Sequence, residues 1–109
     1  MKKILFTLGI ASLLCSCSPR YDYADEMIEI YEDAVNDFED AESMDELISL
    51  REAMRQQCEE VEKEELESHQ ALIKAVEDLD EDAYLIHLSI LYAESHAQWM
   101  YHKKEIELK

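Results

Sequence analysis

Glycine and proline are nearly missing from this chain of 109 residues: Gly9 and Pro19 are the sole examples of each. From residue 21 onward no strong helix breaker occurs, and no Asn-Gly or Asp-Gly pair is present to close a tight β-hairpin. The same shortage removes the glycine-rich phosphate loop and the nucleophile elbow, and the cysteine spacing offers no zinc knuckle. Basic residues are scarce too. Ten Lys and Arg stand against 27 Asp and Glu, a formal net charge of -17. A surface this acidic is solvated and self-repelling, and it disfavours nucleic acid and anionic lipid as partners. A chain of this length is enough for one domain with a modest core.

What is present begins with a leader. Lys2 and Lys3 precede a short apolar run over residues 4–14, too brief to cross a bilayer as a stable helix. That is the pattern of a secretory signal rather than a transmembrane anchor. The run ends in Leu14-Cys15-Ser16-Cys17. This segment resembles the lipobox of bacterial lipoproteins, in which an aliphatic residue stands three before the modified cysteine with small residues between. The resemblance covers residues 1–17 and implies cleavage between Ser16 and Cys17, with a diacylglycerol on the Cys17 thiol and an acyl chain on its new amine. Cys15 fits the acceptor position less well, because Leu14 would then occupy the cleavage site. The alternative is an ordinary signal peptide cut near Ser16 or Ser18. Two or three acyl chains hold a protein on its membrane far more stably than one, each buried methylene contributing about 0.8 kcal/mol. By resemblance to the enterobacterial sorting rule, Ser18 after the cysteine favours the outer membrane. Residues 18–26 (SPRYDYADE) also partly resemble the acidic export tether of Bacteroidetes surface lipoproteins, so the periplasmic and the outward face both remain open.

The expected organisation is a signal peptide over residues 1–16, a lipidated cysteine and tether over 17–21, and an acidic helical domain over 22–109. A first helix is predicted over 22–42, with Met27, Tyr31, Ala34, Phe38 and Ala41 as one apolar seam. Ser43 and Glu46 form a capping box that opens a second helix, in which Ser43 takes the N–H three residues on and Glu46 reaches back to Ser43. Its seam is Leu47, Leu50, Met54, Cys58 and Val61. After the polar stretch 62–65 the pattern resumes in a shifted register as Leu66, His69, Ile73 and Val76, so the helix either bends there or breaks briefly. The acidic cluster 78–82 reads as the next turn, with Asp78 or Asp80 as cap of a third helix over 81–108. The fold class is therefore all-α: an antiparallel three-helix bundle or bent helical hairpin with coiled-coil-like seams.

The third helix carries two apolar stripes. One is Leu85, Leu88, Tyr92, Trp99 and Ile106. The other is Ile86, Ile90, Ala93, Ala97 and Met100, which we take as the candidate interaction surface. Broad apolar cover of this kind suits a central helix that touches both neighbours; the competing reading leaves one stripe free for another protein or a second copy.

Residues with latent chemistry are few. Cys58 would be the only free thiol after processing; it lies on an apolar seam beside Glu59 and Glu60, which oppose thiolate formation. None of His69, His87, His96 and His102 has a Glu three residues before it, so the Glu-x-x-His pairs of a di-iron bundle are missing. No cofactor, metal site or catalytic residue is expected. The expectation is a lipid-anchored protein of the cell envelope that binds or scaffolds without catalysis. Its partners would be the membrane, through the lipid, and a protein, with no nucleic acid. Two alternatives stand beside it: an immunity or inhibitor protein that neutralises a basic partner, and a self-associating structural coiled coil.

Overall fold

The computed structural model describes residues 21–109, so the expected signal peptide, cleavage site and Cys17 lie outside the described residues. Within them the chain forms four α-helices: α1 (Asp22–Asp40), α2 (Met44–Glu64), α3 (Leu66–Glu77) and α4 (Glu81–Leu108). They pack as an all-α bundle measuring 46 × 27 × 21 Å. The helices α2 and α3 follow one another as the two halves of a bent rod. Together they run antiparallel to α1, while α1 and α4 run parallel. Phe38 near the end of α1 meets Tyr101 of α4 edge-on, with ring centroids 5.5 Å apart. One turn further on, the Lys104 ammonium donates to the Glu39 carbonyl at 2.8 Å.

The order of the layers differs from expectation. The central element is α1, not the C-terminal helix. It buries Tyr23, Ala24, Met27, Tyr31, Ala34 and Phe38, which contains the predicted seam, and Ala41 just beyond it is buried as well. α4 packs on α1 through Ile90, Ala93, Ala97 and Met100, with Ile86 half-buried. These are the residues taken from the sequence as the interaction surface, and the structure corrects that choice by placing them in the core. The cause is volume. Tyr23, Tyr31 and Phe38 of α1 fill the space between the helices, and the small Ala93 and Ala97 let α4 close over them at interior packing density.

The helix ends follow the sequence with one adjustment. The Ser43 hydroxyl accepts the Glu46 N–H at 3.1 Å, but the Glu46 carboxylate takes the N–H of Glu42 at 2.9 Å rather than that of Ser43. Asp80 caps α4 by accepting the Ala83 N–H at 3.0 Å. The turn before it is tight. Leu79 has a φ of 65°, and the Asp80 N–H returns to the Ala75 carbonyl at 3.0 Å, the six-to-one bond of a Schellman motif.

Between α2 and α3 the helical ladder continues across Glu65, but the residue itself leaves helical geometry (φ -110°, ψ 37°). The inward face restarts on Leu72, which is 1 % exposed, whereas Leu66 and Ile73 of the predicted register face solvent. Tyr23 sets this rotation. Its backbone N–H lies in the first turn of α1, where no intrahelical acceptor exists, and it donates to Ser68 Oγ at 3.1 Å. The Tyr23 ring stacks on His69, with centroids 3.9 Å apart and planes 9° from parallel.

Candidate interaction surface on α4

With one face of α4 committed to α1, the other is left to solvent. Leu85, Tyr92, Trp99 and Ile106 recur every seven residues and are 60, 74, 57 and 75 % exposed. Leu88, Ser95 and His102 fall between them at the alternating spacing of three and four, so the seven positions trace a coiled-coil seam along most of the helix. Tyr84 and Leu91 widen it. Soluble proteins scatter single apolar residues over their surfaces, whereas Leu85, Leu88, Tyr92, Trp99 and Ile106 line one face with Ser95 and His102 between them, which makes that face a candidate contact surface.

Its electrostatics differ from the rest of the molecule. Between residues 83 and 104 the chain has one acidic residue, Glu94, out of 27. Glu94 lies against the groove between α4 and α2, away from the outer seam. His96 sits between Tyr92 and Trp99, with ring centroids 6.2 and 6.3 Å away, and the Lys103 ammonium lies 5.7 Å from the Trp99 ring. The face is thus aromatic and aliphatic, edged by a cation, on a chain whose other surfaces are densely anionic.

A concave feature opens between α2 and α4. It encloses about 450 Å³ over a floor of Tyr31, Phe38, Met54 and Tyr101, with Arg51 and Glu94 at its edge. The Arg51 guanidinium lies 4.4 Å from the centroid of the Tyr101 ring, a cation–π contact. Cys58 closes the inner wall. Burial pushes its thiol up, and Glu62, Glu94 and Glu59 add to the shift, while a hydrogen bond from the Tyr31 hydroxyl opposes it. The Tyr31 hydroxyl is itself held well above the usual phenol range, by burial first and then by this bond. Both groups are therefore protonated at neutral pH, which makes Cys58 a poor nucleophile.

The histidines do not converge. His69 is stacked on Tyr23, His96 belongs to the outer face of α4, and His102 lies 3.5 Å from Glu105. Among the described residues no group of three or more His, Cys, Asp or Glu side chains is placed to hold a metal ion, and no helix is long and apolar enough to cross a membrane.

The outer seam of α4 is visible in the sequence as a stripe, but the other stripe is the one taken from it as the interaction surface. The signal that marks it is the loss of acidic residues around it. The Arg51–Tyr101 contact and the groove beside it had no sequence signature, because they depend on how α2 crosses α4. No family model, curated protein or solved structure matches the chain.

Proposed function

We propose that the chain is a small lipid-anchored envelope protein that acts as a binding or scaffolding module, without catalysis, and that the outer face of α4 is its contact surface. The observation that carries this reading is the continuous exposed seam from Leu85 to Ile106 in a domain otherwise covered by carboxylates. The lipobox-like segment ending at Cys17 supports the anchor. A lipid tether of four residues spans no more than roughly 14 Å, which keeps the bundle close to its membrane and raises its local concentration there.

Oxidative footprinting tests the contact surface. In intact membranes Tyr92 and Trp99, 74 and 57 % exposed in the isolated bundle, are expected to label as weakly as the buried Tyr101. Labelling of Tyr92 and Trp99 well above that of Tyr101 would remove the face as a contact surface. A second reading rests on the acidic faces of α1, α2 and α3, which suit a basic protein in the manner of an immunity or inhibitor protein. Capture by that route is expected to weaken steeply with salt, whereas burial of the α4 seam is not.

A further inference from the structure

We infer that the partner of the α4 seam is a second copy of this chain, paired antiparallel about Ser95 to form a two-fold coiled-coil dimer. The inference rests on the proposed contact surface and adds the identity and orientation of what covers it.

Three observations point to this occupant. The first is pattern. Leu85, Leu88, Tyr92, Ser95, Trp99, His102 and Ile106 keep the three-four alternation through three heptads, the spacing that fits another helix with the same repeat and not a flat surface. The second is area. By their fractional exposure, the large side chains of the seam, with Leu91 beside it, leave on the order of 800 Å² per copy for a partner, which is what each side of a standard interface covers. The third is charge. Two copies of a chain with net charge -17 can meet only where carboxylates are sparse, and residues 83–104 of α4 carry one, turned toward the groove on the opposite flank.

The ends of α4 choose the direction. Its first turn holds only acids, Glu81 and Asp82, whereas its last seven residues hold Lys103, Lys104 and Lys109 ion-paired with Glu105 and Glu107. A parallel pair would stack each acidic end on its own copy. An antiparallel pair sets Glu81 and Asp82 near the partner's Lys109, opposes the two helix dipoles, and lays Leu85 beside the partner's Ile106 and Tyr92 beside the partner's Trp99. Ser95, the smallest residue of the seam, then falls at the axis, where two large side chains would collide. An isologous interface of this form closes on itself and stops at two copies.

The test uses the full chain in non-ionic detergent, followed by sedimentation and by cysteine cross-linking. Wild type is expected to sediment as a dimer. Trp99→Glu, an exposed position whose variant keeps the helical spectrum, is expected to raise the dimer dissociation constant by about thirtyfold or more, the effect of losing a central aromatic anchor. Ser95→Cys is expected to cross-link to itself above the wild-type background. Leu85→Cys is not, because antiparallel pairing separates the two copies by about 30 Å along the seam, yet it should cross-link when mixed with Ile106→Cys. A monomer at high concentration, or self-linking of Leu85→Cys, overturns the proposal. Footprinting of the same protein in membranes separates the two readings. Protection of Trp99 with a monomeric chain removes the second copy and keeps the contact surface, whereas exposed Trp99 in a monomer removes both.

Discussion

Glu26 lies on α1 opposite Glu65, the residue at which the α2–α3 rod bends. Its carboxyl is pushed above the ordinary value of 4.5, first by burial, then by a hydrogen bond to the Glu65 side chain and by repulsion from Glu65, Glu64 and Asp22. A carboxyl whose folded-state pKa is raised contributes its stability fully below the unfolded value and loses it as pH rises through the folded one. The bundle is therefore expected to gain stability on acidification from neutral pH into the window just above pH 4.5. Glu26→Gln should stabilise the protein at neutral pH and flatten this slope, as read by thermal melts across pH 4.5 to 7. A steeper slope in the variant would show that Glu26 is not its source. Nothing in the spacing of Glu26 distinguishes it from the many other acidic residues of α1 and α2. Its role depends on which carboxylate the fold sets opposite, and that was not legible in the sequence. The seam from Met27 to Ala41 was legible, because helical periodicity alone decides which residues of α1 point inward.

At the scale of elements, two caps were readable from residue type: the Ser43 and Asp80 side chains accept the N–H groups three residues on. The α3–α4 turn was readable as a turn but not as a Schellman motif, since the left-handed position is filled by Leu79 where glycine is the usual occupant. A side chain with a Cβ costs roughly 1 kcal/mol or more in that conformation. Leu79 is 87 % exposed, so removing its side chain surrenders little burial. Leu79→Gly is accordingly expected to stabilise the domain by about 1 kcal/mol, a rise in melting temperature of about 4–8 °C for a domain of this size. An unchanged or lower melting temperature would mean that Leu79 is held by contacts that outweigh its backbone strain. The α3 register was not legible, because Leu66 and Ile73 continue the apolar period that the kink at Glu65 interrupts. The rotation of α3 is set from outside, by Ser68 and His69 meeting Tyr23 of α1. The same limit applies to α4. Its two stripes are both apolar, and only the bulk of the α1 aromatics decides that the alanine-bearing one goes inside.

For the whole molecule, the bundle is a slab 21 Å thick, and its fully buried large side chains, Phe38, Leu47 and Leu72, are few. A core of this size supplies limited stability, so any partner that binds only the folded bundle would raise the folded fraction. The expected address depends on Cys17. Intact-mass analysis of the membrane fraction is expected to find a chain that begins at Cys17 and carries diacylglycerol, with both features lost in Cys17→Ser. An unmodified soluble chain from wild type would end the lipoprotein proposal. The all-α class and the bundle followed from the scarcity of glycine and proline and from the heptad-like seams. The position of α1 at the centre did not, because α1 is the shorter and more acidic partner of α4 and shows one seam rather than two.

That central position has a consequence in time. The contacts that bury α1 come chiefly from α4, and the Lys104–Glu39 bond joins residues 65 positions apart. A chain grows from its N-terminus, so the hub of this bundle is synthesised first and completed last, after α2, α3 and most of α4 have been made. Until then Phe38 has no Tyr101 to meet, and the side of α1 that faces α4 waits uncovered. An interrupted chain that ends before residue 101 is left with a sticky first helix and no native home for it. Such a fragment is expected to aggregate or be degraded more readily than the full chain.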